Sequence, residues 1–566
     1  MTSWLRHYGN TDEYRWRREG NVFKRPLGFV EFSFDCDGRL FEGRADMNSL
    51  VKLAIKSKLS TEDFRERILL AWTQLRCQHV LLQARTIREK DGLNNFAPQG
   101  LSFAVNIHTS VSKAVESAGR HLIFLEDHYE HVNHKDFYMH CQNTSRVVDP
   151  EDALAKVFIL PSTQEDGNTI LRIQFVIAHE IADGISINAW TNNFLKYLNE
   201  STDQLKTLIK TTINPEDMQT RLPLPQEALY PKIPGSLARQ RWFWAITRIL
   251  RHVRKPHAAG FANPLRRQQK RTPIPLSPTY SAVLDYRRTL PLNTIPMYIS
   301  VSAENTARLQ QLCREAKASV GAGIYALVAV CMMELYEQRE PDIPLNERKC
   351  FITGFPLNPR AFFGFENKPD SMMLAFSDGI SLPFLSSHLD VTGRLRLLAR
   401  QAQRQLSAYQ KRIRPAGEDG KRQFLTSRGA GLVLANQYLY GIERADSFFP
   451  EAPTTNVQGA YPARQNATQQ TCGVSSVGRR DLQISNGAYN VAQAEKDFVA
   501  DFQDLTASVR AREGEFLVGI AGTSSGLGSC PSVDISSLDP ELLDDFKSRF
   551  ENILADVVIN EERSRL

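Results

Sequence analysis

Apolar positions in this chain repeat with two periods, and the places where the period changes mark its elements. In TILRIQFVIAH, Leu171, Ile173, Phe175, Ile177 and His179 alternate with Arg172 and Gln174, the spacing of a strand that runs to His179. Directly after it, ISINAWTNNFLKYL changes to helical spacing, with Ile187, Trp190, Phe194 and Leu198 on one side. Upstream, WTQLRCQHVLLQAR places Trp72, Leu75, Val80 and Leu82 as a helix leading into a strand would. Residues 26–205 therefore read as alternating strands and helices.

The pattern lapses over 206–290, where prolines at 223, 225, 231, 234, 256, 264, 273, 275 and 278 punctuate a long connection holding one helix at about 238–253. It resumes at 294. MYISVS reads as a strand, and the run from Glu304 to about Glu337 as one long helix with an apolar second half. KCFITGFPLNPR is a strand and turn, and Leu389–Arg414 a helix whose Leu395, Leu397, Leu398 and Leu406 supply the contacts. GLVLANQYL is a short apolar segment, and 451–470, rich in Thr, Asn, Gln and Pro, a loop. GVSSVGRRDLQIS and GEFLVGIAG read as strands, and LDPELLDDFKSRFENILADVV as an amphipathic helix capped by Asp539 or Ser537. The expected organisation is an α/β lobe over 1–205, a proline-rich basic crossover over 206–290 and a second α/β lobe over 291–566.

Composition agrees with several domains. At 566 residues the chain exceeds one ordinary core, and 42% hydrophobic with 23% charged residues is ordinary for a globular protein. With no apolar run of about 18 residues, no transmembrane helix is expected, and the first twenty residues hold no apolar signal region. Eight cysteines are scattered without a CxxC pair, which points to reduced thiols and a cytoplasmic setting. The net charge of +6 is local: Arg239 to Arg271 carries ten Lys or Arg and no acid, so the other residues sum to −4. No nucleic-acid motif accompanies that stretch, and nucleic acid is not expected as a partner. Within it, residues 239–254 combine Arg241, Arg248 and Arg251 with Trp242, Trp244, Ile246 and Leu250. A helix of this kind either makes weak contact with an anionic membrane surface or packs across the lobes with its arginines in water.

The chemistry concentrates at HEIADG, residues 179–184. His179 followed by Glu180 suggests a zinc-binding HExxH, but that motif needs a second His on one helical face, and the position is Asp183. Asp183 also stands where a carboxylate would cap the next helix. A second histidine group, His128, His131, His134 and His140, has spacings of three, three and six that fit no common zinc scheme. It reads as a polar surface segment, and no metal is expected.

A strand, then His, three residues, Asp-Gly and a helix resembles the HxxxDG signature of the CoA-dependent acyltransferase superfamily. That superfamily includes chloramphenicol acetyltransferases, BAHD acyltransferases and peptide-synthetase condensation domains. FITGFPLNPRAFFG resembles the strand that carries a structural Arg in condensation domains, which puts Arg360 at that position. VSSVGRRD resembles the late Ser-x-x-Gly strand of acetyltransferase members, and FLVGIAG with the final helix matches the usual ending. The chain departs from BAHD enzymes in lacking DFGWG, and from condensation domains in having Ala178 where they carry a first His. Its basic connection, LARQRWFWAITRILRHVRKP, is similar to that of fungal trichothecene 15-O-acetyltransferase-like proteins.

The resemblance implies an α/β fold of two chloramphenicol-acetyltransferase-like lobes around a central tunnel, with an acyl-CoA and an alcohol acceptor reaching His179 from opposite faces. It implies His179 as general base, and Asp183 turned away from substrate and paired with Arg360. Gly184 would permit a tight turn and close approach. Ser475 and Ser476 are candidate oxyanion donors by position, with ordinary strand serines as the alternative. Lys411, Arg412, Arg414, Lys421 and Arg422 are either cations for CoA phosphates or a solvated helix end. The expected activity is acetyl transfer from acetyl-CoA, a co-substrate, to a hydroxyl of a terpenoid or polyketide, by a monomer with no bound cofactor. The alternatives are a free-standing condensation-type enzyme using a carrier-bound acyl donor, and an inactive relative serving as a scaffold.

Overall fold

The computed structural model describes residues 3–88, 100–253, 259–272, 274–288, 293–363, 370–407, 409, 430–448, 457–459, 461, 470–493 and 495–557. Two hydrophobic cores, one per lobe, form on two large sheets. The first sheet runs in the order Phe498–Val509, Met47–Ser57, Asn168–Ile177, Ala155–Ile159, Leu122–Phe124. Helices Thr61–Gln78 and Gly184–Leu198 lie on one face, where Trp72 and Phe194 meet Phe175 at centroid distances of 6.1 and 5.5 Å. Helix His134–Cys141 lies on the other, its Tyr138 hydroxyl donating to Asn48 O at 3.2 Å. Both faces are thus covered, and Gln174 is fully buried although it stands on the polar side of the alternation.

The second sheet runs Thr294–Pro296, Ser532–Asp534, Phe516–Thr523, Cys472–Arg479, Phe351–Gly354, Ile380–Leu382. The helices Val320–Arg339, Val391–Leu406 and Pro540–Asn552 pack with it to form the second core. Val320–Arg339 is long and apolar enough to cross a membrane, yet 78% of its apolar window is buried in that core.

Five expectations change. The strand before the HEIADG stretch ends at Ile177, so His179 is not a strand residue but sits in a turn closed by Ile181 N donating to Ala178 O. The long helix from Glu304 is two helices, Ala303–Glu315 and Val320–Arg339. Lys317 adopts φ 52° between them, and Ala318 N and Lys317 N donate to Cys313 O and Arg314 O, which closes the first helix. The helix expected from Leu389 spans Val391–Leu406 among the described residues. The short apolar segment at 431 belongs to the helix Ala430–Ser447, of 18 residues. Finally, strand Phe498–Val509 pairs antiparallel along Met47–Ser57, so this piece of 291–566 lies in the first lobe's sheet, and Leu434, Tyr438 and Leu439 lie in its core. The crossover helix is Leu237–Val253, and Asp539 caps the final helix by accepting from Glu541 N. The 451–470 loop falls mostly outside the described residues.

Candidate active site

Two residues past the strand end, the turn presents His179. Its ring stacks on Phe34 of helix Phe29–Leu40, with centroids 4.2 Å apart and planes at 18°. Nδ1 is buried without a hydrogen bond of good geometry among the described residues. The residue as a whole is half-buried rather than fully enclosed. Burial lowers the imidazole pKa below 6.5, while main-chain groups of His179 and Ala182 and the charge of Asp183 oppose it only in part. A neutral ring is the form a general base requires.

Asp183 uses one carboxylate oxygen for each of its expected roles. Oδ1 caps helix Gly184–Leu198, accepting from Ile185 N and Ser186 N at 3.0 Å each and from Ser186 Oγ at 3.1 Å. Oδ2 accepts from Met373 N at 3.0 Å and pairs with Arg360 Nη2 at 2.7 Å. None of these bonds runs to His179, so the carboxylate holds the turn rather than the imidazole proton.

Arg360 opens a short 3-10 turn after strand Phe351–Gly354 and is 1% exposed. It is thus no surface loop residue. Its Nη2 also donates to Ser371 O at 2.6 Å and to Ser186 Oγ at 3.2 Å. The pair thus ties a helix end of the first lobe to a turn of the second.

Gly184 needs correction as to its cause. It is absent from the positive-φ glycines, so no turn demands it. What demands it is space: an added Cβ would stand 2.9 Å from Val477 Cγ1 on strand Cys472–Arg479. Gly184→Ala is expected to destabilise the protein by about 1–3 kcal/mol, the usual cost of overpacking. Differential scanning calorimetry checks this, and Val477→Ala in the same chain should restore most of the midpoint.

The same contact locates the two serines. Ser475 and Ser476 pair with Gly519 and Ile520, and the register shifts between Ser476 and Gly478, leaving Val477 as the extra residue. Ser475 is half-buried; Ser476 is exposed, and its Oγ accepts from Gly478 N at 3.4 Å. This strand end and the Asp183 helix cap therefore meet through Val477. The basic cluster at 411–422 lies outside the described residues.

Several groups around the site escaped the reading of the sequence. Val30, Phe34, Ala45 and Met372 form a small apolar cluster, with Leu374 and Phe376 packed on it, beside the histidine ring. Behind the turn, Glu180 is fully buried, and Thr86 Oγ1 donates to its Oε1 at 3.0 Å. Burial, then the neighbouring Asp35, push its pKa well above the usual carboxylate range. Asp35 accepts from Arg39 Nε at 2.7 Å, and Asp46 binds Arg146 through Nε at 2.8 Å and Nη2 at 2.9 Å. Asp37 pairs with Arg44, Arg444 and Arg512. Burial works against its charge, but these arginines hold its carboxyl below the ordinary value. These bonds fix the helix that carries Phe34. The sequence signal was the density of acids in FSFDCDG; Arg39 and Arg44 lie close by, but Arg444 and Arg512, which also hold Asp37, lie far along the chain.

Among the described residues no group of three or more His, Cys, Asp or Glu side chains could hold a metal ion. Of the second histidine group, His140 is buried, its Nδ1 2.6 Å from the Tyr286 hydroxyl.

The architecture is the two-lobe α/β fold of CoA-dependent acyltransferases and condensation domains. Trichothecene 15-O-acetyltransferase TRI3 from Fusarium sporotrichioides is similar at a TM-score of 0.62 and 10% identity, over 97% of this chain and 98% of that one. The epimerization domain from the third module of tyrocidine synthetase B follows at 0.51 and 10%, over 95% and 98%. The starter condensation domain of rhizomide synthetase, solved with C8-CoA, stands at 0.50 and 11%, over 94% of each chain. At these identities the likeness is one of fold. No protein-family model and no curated protein sequence matches the chain.

Proposed function

We propose that this chain is an acyl-CoA-dependent O-acyltransferase that moves an acetyl group from acetyl-CoA to a hydroxyl of a specialised terpenoid or polyketide. One observation carries the reading: a histidine whose burial favours the neutral ring, held in a turn whose aspartate is locked to Arg360 of the other lobe. In the reaction, Nε2 takes the hydroxyl proton as the alcohol oxygen attacks the thioester carbonyl carbon. The tetrahedral intermediate collapses, the C–S bond breaks, and the thiolate leaves with the proton from His179. The products are an ester and free CoA, and no acyl-enzyme forms. A hydroxyl on the strand end at Ser475 would donate to the oxyanion.

The donor is tested by calorimetric titration with acetyl-CoA and, separately, with an acetylated phosphopantetheinyl carrier protein. Saturable binding of acetyl-CoA with none of the carrier supports the reading. Carrier binding alone would replace it with the condensation-type alternative. Binding of neither would favour a scaffold.

A further inference from the structure

Helix Leu237–Val253 has two apolar faces, and among the described residues only one of them packs on the protein. Trp244, 6% exposed, lies edge-on to Trp4 and Tyr8 at centroid distances of 5.3 and 4.9 Å. One turn on, Thr247 is buried, and Arg251 is buried and bidentate to Glu443, with bonds of 3.0 and 2.6 Å. The opposite face carries Trp242, Ile246, Ile249, Leu250 and Val253, at i, i+4, i+7, i+8 and i+11, one continuous stripe. Trp242 is 67% exposed, Ile249 57% and Val253 54%. Aliphatic and aromatic side chains in a single run on an exposed helix face need an occupant.

We propose that this face docks the protein on an anionic lipid surface. Arg239 and Arg241 are exposed at the start of the helix, and Arg248 is half-buried along its flank. Tyr461, 66% exposed, sets its ring 5.1 Å from that of His252, adding an aromatic beside the stripe. The segment from Arg239 to Arg271 holds ten Lys or Arg and no acid, in a chain whose remainder is net negative. Apolar side chains rimmed by arginine, with Trp and Tyr at the margin, match the interfacial zone of a bilayer, where rings and guanidinium groups sit at headgroup depth. At a rise of about 1.5 Å per residue the 17-residue helix is about 25 Å long and would lie flat on the surface. A second copy is the poorer occupant, because a two-fold contact through this helix would bring two acid-free basic segments together. The inference does not depend on acyl transfer. Its buried face is joined to the site's surroundings: Arg251 pairs with Glu443, and the next residue, Arg444, pairs with Asp37 of the helix carrying Phe34.

The test is co-sedimentation of the full chain with phosphatidylcholine vesicles, with and without about one third phosphatidylserine. It is run at physiological salt and at 1 M, where the screening length falls from about 8 Å to about 3 Å. The wild type should sediment with the anionic vesicles, be released by high salt, and shift its tryptophan emission to the blue on binding. Trp242→Ser with Ile249→Ser, and separately Arg239→Glu with Arg241→Glu, should each lower the bound fraction about tenfold or more. Their circular dichroism and melting should stay unchanged, because all four side chains are exposed. Wild type left in the supernatant, equal binding to neutral vesicles, or binding that survives both double variants would overturn the proposal. So would a dimer in size-exclusion light scattering that dissolves with Ile249→Ser.

Discussion

Arg360→Ala is expected to yield little soluble protein, and what remains should melt far below wild type and have almost no activity. The arginine is 1% exposed and the aspartate side chain 8%, so neither charge has water to fall back on. Removing one partner of such a pair costs about 3–5 kcal/mol, chiefly through the uncompensated charge left behind. Here that charge is the Asp183 carboxylate, which would keep its helix-capping bonds and Met373 N but lose Arg360. Ser371 O and Ser186 Oγ would also lose a donor. Soluble yield and thermal midpoint read the structural part. Asp183→Asn separates the rest: its amide oxygen can still cap the helix while the charge pair is gone, so it should fold better than Asp183→Ala yet melt below wild type. A well-folded, fully active Arg360→Ala protein would remove the pair from the account.

His179→Ala should behave in the opposite way, folding normally while losing about 10²–10⁴-fold in kcat, the usual worth of a positioned general base. The buried Nδ1 makes no hydrogen bond of good geometry among the described residues, so the substitution strands no polar partner of that nitrogen. It removes the ring's stacking on Phe34, which affects packing modestly. The pH dependence follows from the direction of the histidine shift. Because burial holds the ring neutral below 6.5, kcat/KM should stay level as pH falls past 6.5 and decline only below it. The linked effect on stability has the same sense. The unfolded ring gains its proton near 6.5 while the folded ring does not, so stability weakens as pH falls from there toward the folded pKa. An acid limb at or above 6.5 in a pH–rate profile would contradict the assignment.

The parts of this site legible in sequence were those set by neighbours along the chain. Alternation from Leu171, a histidine just past its end, and Asp183 ahead of a helical repeat are local patterns, and they located the turn and its cap. Only the last step of the strand misled, because side-chain period alone cannot tell a strand residue from one two places into a turn. Arg360 came from resemblance rather than pattern, since nothing near it announces a buried carboxylate 177 positions earlier. Phe34 against His179, and strand 498–509 beside strand 47–57, were invisible for the same reason: long-range pairings leave no mark on local spacing. The break at Lys317 was missed because a lysine in the left-handed region carries no glycine to announce it. In the basic helix, composition showed two tryptophans but not that Trp244 turns inward and Trp242 outward.

The central claim is that a neutral His179, and nothing covalent, draws the proton from an alcohol as the thioester is attacked. Its most direct measurement is acceptor-dependent thiol release from acetyl-CoA over a panel of hydroxylated terpenoids, polyketides and simple alcohols, with wild type and His179→Ala side by side at matched fold content. The account predicts release by wild type with at least one acceptor, and a loss of about 10²-fold or more in the variant with an unchanged melting curve. Acceptor-dependent release that persists undiminished in His179→Ala would contradict it.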